Sequence, residues 1–118
     1  MRVKTEEELA KAIKNGEDTI EIEGNLRKTV LKIKATGKVA WLIAISAIGI
    51  TVGILIATGG TGAPASSIIG VGAISVLGLP VAISAVSIAI AAGSVDVLNK
   101  LRDYKIIENN DDVLILKK

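Results

Sequence analysis

The spacing of apolar and polar positions changes period three times along this chain, and each change predicts a different element. Leu9 and Ile13 stand one helical turn apart among charged neighbours, which predicts a helix over residues 6–15. Thr5 and Glu8 have the Thr-x-x-Glu spacing of a capping box at its start, and Asn15-Gly16 supplies a left-handed stop. Residues 19–23 then alternate strictly, and Gly24-Asn25 permits a turn into residues 26–35, so this stretch is expected to form a β-hairpin. Its expected register puts Ile20, Ile22, Leu31 and Ile33 on one face. Glu21, Lys28, Lys32 and Lys34 fall on the other.

From residue 39 to residue 95 no side chain is charged, a run of 57 positions bounded by Lys38 and Asp96. A run of that length reads as membrane-spanning. Turn-forming residues cluster at 58–67, which divides it into two expected spans, residues 39–57 and 68–92, with a tilt or kink at Pro80. After Gly93-Ser94 a charged amphipathic pattern resumes over 96–103, with Val97, Leu98 and Leu101 on its apolar side. Residues 104–108 and 113–117 read as strands around a polar turn, and both faces of that pair carry apolar residues, so both are expected to be covered.

The fold class predicted from these patterns is an integral membrane α-helical hairpin of two transmembrane helices, carrying a small cytoplasmic α+β domain. The soluble part would be built from the two flanks, residues 1–38 and 96–118, meeting in one sheet around the hairpin at 39–95.

Charge sharpens this reading into an orientation. The net charge of +2 hides a partition: residues 1–24 hold seven acids and four bases, whereas Arg27, Lys28, Lys32, Lys34 and Lys38 stand without an acid among residues 25–38. Basic residues beside a span are retained in the cytoplasm, and Lys100, Arg102 and Lys105 follow the second span. Both termini are therefore expected to be cytoplasmic, at the cell inner membrane. Arg27, Lys28, Lys32, Lys34 and Lys38, with Trp41 as interfacial anchor, are the candidate contacts to lipid headgroups. A solvated strand surface is the plainer explanation of the three strand lysines. The charged first 38 residues do not have the pattern of a secretory signal peptide.

Composition narrows the chemistry. Histidine, cysteine and phenylalanine are absent, and there is one Trp and one Tyr. Thiolate and imidazole chemistry and the commonest zinc ligands are excluded, so no catalytic, cofactor-binding or metal-binding residue is assigned, and a non-enzymatic role is expected. The glycines at 59, 60 and 62 lack the Gly-Lys-Ser/Thr ending of a phosphate loop, and nucleotide or nucleic-acid binding is not expected. Asp111-Asp112 and Glu6 to Glu8 match no calcium loop, and turn and capping roles account for them. With no ionisable residue in either span, an ion-coupled or proton-relay mechanism is not expected.

Small residues recur every fourth position. Ala40 and Ala44, then Gly49, Gly53 and Ala57, mark the first span; Gly78 and Ala82, then Ala85, Ala89 and Gly93, mark the second. Such stripes let helix backbones approach closely, either inside one hairpin or between copies. The leading functional expectation is a self-associating inner-membrane scaffold or partner-recruiting module, with the lipid bilayer, a second copy and a cytosolic or membrane protein as partners. One alternative is a membrane-permeabilising protein assembled from hairpins, topologically similar to one class of phage holins. Another is an accessory or immunity-type binder of a membrane protein, and a further one is a soluble assembly in which hairpins cover one another.

Overall fold

Thr5 starts the first helix as its spacing requires. The computed structural model describes residues 2–57, 71–110 and 112–118. After β1 (Arg2–Val3), the Thr5 hydroxyl accepts from the Glu8 amide at 3.2 Å, and the Glu8 carboxylate accepts from the Lys4 amide at 3.1 Å, closing the start of α1 (Glu6–Lys14). Leu9, Ala10, Ala12 and Ile13 form its buried face, and Gly16, at φ 73°, turns the chain into β2 (Thr19–Glu23).

The partner of β2 lies far away in sequence. β2 pairs antiparallel with β4 (Val113–Lys117), setting Ile20 against Leu116 and Ile22 against Leu114, all four fully buried. β3 (Lys105–Asn109) adds the other edge, so the sheet order is β1-β2-β4-β3, with β1 parallel to β2. Every β3 residue is exposed and Val113 and Ile115 are half-buried, so the expectation that both faces of this pair would be covered is not met. A register shift between Ile106 and Glu108 and the flanking Lys105 blunt that open edge.

Residues 25–35 are not a strand. They form α2 (Asn25–Ala35), and the reason lies in a second periodicity that the hairpin reading left out. As a strand, Leu26 and Val30 would share the lysine face; as a helix, Leu26, Val30 and Ile33 are spaced to share one buried stripe, and all are buried. With β4 already supplying an apolar partner for β2, nothing favours exposing those two side chains.

The two-span hairpin is also overturned. α3 (Lys38–Ala57) follows the first predicted span, but the second is broken. α4 (Val71–Leu77) ends at Gly78, whose φ of 83° interrupts the helix, and α5 (Leu79–Ala92) begins afresh with Pro80 in its first turn, where a missing amide costs nothing. At 1.5 Å per residue α5 is roughly 21 Å long, short of the ~30 Å of hydrocarbon a span must cross. Gly93, left-handed at φ 81°, ends it, and α6 (Asp96–Asp103) departs at 108°. Ala82, Ala85, Val86, Ile88 and Ala89 of α5 are fully buried against protein, so the absence of charge here reflects a core helix rather than a lipid-facing one.

Among the described residues, α3 alone is long and apolar enough to cross a bilayer as a single helix, and a third of its most apolar stretch is buried within the protein. The architecture is thus a mixed α/β one, with six helices and a four-stranded sheet among the described residues, in place of a membrane hairpin with an appended domain. The turn predicted at 58–67, the glycines at 59–62, the start of the second span at 68–70 and Asp111 lie outside the described residues.

The central strand and the exposed edge should respond differently to the same truncation. Ile22→Ala should lower unfolding free energy by about 2–5 kcal/mol through the cavity it leaves, whereas Ile107→Ala should change it by no more than about 0.5 kcal/mol. Urea unfolding checks both, and similar losses would contradict the sheet order.

Candidate functional site

An amphipathic helix normally turns a polar face to water, and α3 does not. Trp41, Ala44, Ile48, Thr51, Val52 and Leu55 form its buried stripe. On its other side Val39, Leu42, Ile43, Ile50, Ile54 and Ile56 are between 45% and 75% exposed. Ser46, exposed among them, returns its hydroxyl to the Leu42 carbonyl at 2.8 Å, so even the hydroxyl on this face is satisfied inside the helix. The result is an apolar surface along a helix of roughly 30 Å, and apolar patches of such extent mark interaction surfaces.

The base of α3 is held by a clasp between the ends of two helices. Lys34, in the last turn of α2, donates to the carbonyls of Leu101 at 3.4 Å, Arg102 at 3.0 Å and Tyr104 at the end of α6. Arg102 of α6 reciprocates, donating to the Ile33 carbonyl at 2.7 Å and the Thr36 carbonyl at 2.9 Å at the end of α2. Each cation thereby bonds carbonyls at the end of the other helix; the Leu101 carbonyl also accepts from the Tyr104 amide at 3.2 Å. The Arg102 guanidinium also lies 4.8 Å from the Trp41 ring centroid, and the Trp41 indole N–H donates to Asn99 Oδ1 at 2.9 Å. These contacts tie α3 to the body at its first turn and leave the opposite face uncovered.

Burial, followed by the neighbouring Arg102 charge, lowers the Lys34 pKa below the ordinary lysine value, with Asp103 acting in the opposite direction. Tyr104 is shifted upward, first by burial and then by Asp18 and Glu17; its hydroxyl donates to the Glu17 carbonyl at 2.6 Å.

The residues singled out from sequence go to different places. Ala44, Ala82, Ala85 and Ala89 are buried in the core, and Ala40 is half-buried. Gly49, Gly53, Gly78 and Gly93 are open: a Cβ added at any of them would meet nothing within 4 Å. Ala57 is exposed at the end of α3. Of the basic residues, Lys28, Lys32 and Lys38 are exposed, Arg27 is half-buried with its guanidinium 3.3 Å from Asn109 Oδ1, and Lys34 is turned into the clasp. Trp41, 4% exposed, sits beneath Arg102. Among the described residues no group of His, Cys, Asp or Glu could hold a metal ion.

Residues 2–117 match a family model, and that match covers both the clasp and α3. The chain belongs to the family described as "Uncharacterised protein PM1101". Comparison with curated proteins and comparison with solved structures each give no match. The clasp was not legible in the sequence of this family member, because it joins residues about 68 positions apart through side-chain-to-carbonyl bonds that follow no spacing rule. Its one local signal was the coincidence of a cation in the last turns of both α2 and α6.

Replacing Arg102 with Met should leave the Ile33 and Thr36 carbonyls without their charged donor and destabilise the fold by about 1.5–3 kcal/mol. The fluorescence of Trp41, the sole tryptophan, should change with it. Thermal or urea unfolding followed at that fluorophore checks both.

The upward Tyr104 shift also has a signed consequence. Because the folded pKa lies above the ordinary tyrosine value of 10.0, the stability the phenol contributes is full below pH 10 and is lost as pH rises from there through the folded pKa. Lys34 acts with the opposite sign, its penalty easing as pH rises through its lowered pKa. Tyr104→Phe should therefore remove part of the alkaline loss of stability. Phenolate absorbance of this sole tyrosine should titrate above pH 10 in the folded protein; a midpoint at or below that value would contradict the buried phenol.

Proposed function

We propose that the protein is a non-enzymatic attachment and scaffold module that lies on the cytoplasmic face of the cell inner membrane, with the exposed face of α3 seated in lipid and the α/β body in water. The observation that carries this reading is the apolar side of α3 opposite its buried stripe. Val39, Leu42, Ile43, Ile50 and Ile54 recur at helical spacing from one end of α3 to the other, which suits a helix lying in the interface plane. Lys38 opens that helix, and Lys28 and Lys32 are exposed on the helix before it, which favours an anionic cytoplasmic leaflet. The body then presents its sheet and helices to a protein partner.

A second reading, self-association on the membrane, is favoured by the open Gly49 and Gly53. Two copies of α3 could bring their backbones together along that stripe, as small residues permit in lipid.

Flotation of the full chain with phosphatidylglycerol vesicles tests the attachment. The wild-type chain should float, and Ile43→Glu with Ile50→Glu, both at exposed positions, should reduce the bound fraction at least about tenfold while the circular dichroism stays unchanged. Wild-type protein remaining in the aqueous phase, or a variant that floats equally well, would exclude the reading. Cross-linking on the same vesicles reports self-association, and release of an entrapped dye would favour the permeabilising alternative.

A further inference from the structure

We infer that β3 is a self-complementary docking edge, through which the sheet pairs antiparallel with β3 of a second copy of this chain. It ends the order β1-β2-β4-β3, so its outer side has no strand beside it among the described residues. An edge strand presents a row of backbone donors and acceptors to which a further strand can add. All five of its residues are exposed, with Ile106 at 43% and Ile107 at 56%.

The strand is fixed at both ends before any partner arrives. Arg27 of α2 donates to Asn109 Oδ1 at 3.3 Å at one end. At the other, the Tyr104 carbonyl accepts from Lys34, and the Tyr104 hydroxyl donates to the Glu17 carbonyl at 2.6 Å. Little ordering of this backbone is left for association to accomplish.

The bulge decides which strand fits. Along β4, Lys105 stands opposite Lys117 and Ile106 opposite Leu116, then Glu108 opposite Ile115 and Asn109 opposite Leu114, with Ile107 as the extra residue. In a regular strand Lys105 and Glu108, three positions apart, would point to opposite faces. The extra residue resets that alternation: both stand opposite the outward positions of β4, whereas Ile106 and Asn109 stand opposite the buried Leu116 and Leu114. A two-fold axis perpendicular to the sheet preserves faces, so residues that meet across it must share one. With the axis between Ile106 and Ile107, Lys105 of each copy meets Glu108 of the other, and Ile106 of each lies beside Ile107 of the other. Without the bulge these charges could not meet.

Charge favours a second copy over a foreign strand. Within one copy Lys105 stands opposite Lys117, a like-charge pair, and Lys117 has Asp18 at 3.9 Å as its own counter-ion. Neither Lys105 nor Glu108 takes part in an ion pair among the described residues. Self-pairing gives each its opposite charge and covers the exposed isoleucines of both copies. The bulge and the lysine that blunt this edge toward other strands are therefore matched by the same features in a second copy. The two four-stranded sheets become one, with the helix-covered faces of both copies on the same side. A five-residue edge falls below the roughly 1,200 Å² of a standard interface, so the dimer is concentration-dependent.

Sedimentation of the full chain in lipid-free buffer tests the pairing, with Ile43→Glu and Ile50→Glu in place to remove association through α3. The chain should pass from monomer to dimer as its concentration rises. Lys105→Glu and Glu108→Lys, both at exposed positions, should each weaken dimerisation at least about fivefold, because like charges then meet twice across the axis. An equimolar mixture of the two variants should dimerise again, since each offers the charge that the other lacks. The chain carrying both exchanges should also dimerise with itself. A protein that stays monomeric at about 1 mM, or a dimer indifferent to both exchanges, would overturn the proposal. The experiment contains no lipid and the edge lies on the sheet, so its outcome is independent of whether α3 attaches to a membrane.

Discussion

Burial of α5 is the constraint on which the rest of this structure depends. Every other described helix packs against it: α1 along one flank, α3 and α4 along another, with α2 and α6 at the remaining sides. A helix of small and branched apolar residues, fully buried at Ala82, Ala85, Val86, Ile88 and Ala89, can be approached closely from several directions at once. Its polar positions are accommodated locally. Ser84 donates to Glu6 at the start of α1, and Ser87 returns to the Ile83 carbonyl. Gly78 and Gly93, both at positive φ, bound the helix at its two ends.

With α5 enclosed, the body can hold α3 by one side only. The exchange of cations between α2 and α6 satisfies two helix ends at once, and the Trp41 ring lies under one of those cations. This couples the α/β body to the first turns of α3 while the outer face of that helix stays exposed. The same organisation places the start of α2 beside the start of α5. The exposed apolar face of α3 therefore arises from the packing arrangement around α5.

Local signals were legible where a few neighbouring residues decide the outcome. The Thr5 and Glu8 capping pair, the Gly16 stop, the alternation of residues 19–23 and the strands on either side of the Asn109 to Asp112 turn all rest on contacts within a few positions. The helix over 25–35 was misread because alternation at Leu31 and Ile33 and helical spacing at Leu26, Val30 and Ile33 coexist in the same ten residues. Only the availability of β4 as partner for β2 chooses between them.

By itself the sequence determined that the apolar stretches over residues 39–57 and 79–92 would be helical, because uncharged runs rich in Ala, Ile, Val and Leu without turn clusters admit little else. Tertiary structure decided what takes the place of water. Hydrophobicity is non-directional, so an apolar helix satisfies it equally against lipid or protein, and periodicity carries no label for the partner. For α5 the partner is the rest of the chain, assembled from residues as distant as α1 and α6; for the outer face of α3 the described residues leave Val39, Leu42, Ile43, Ile50, Ile54 and Ile56 exposed.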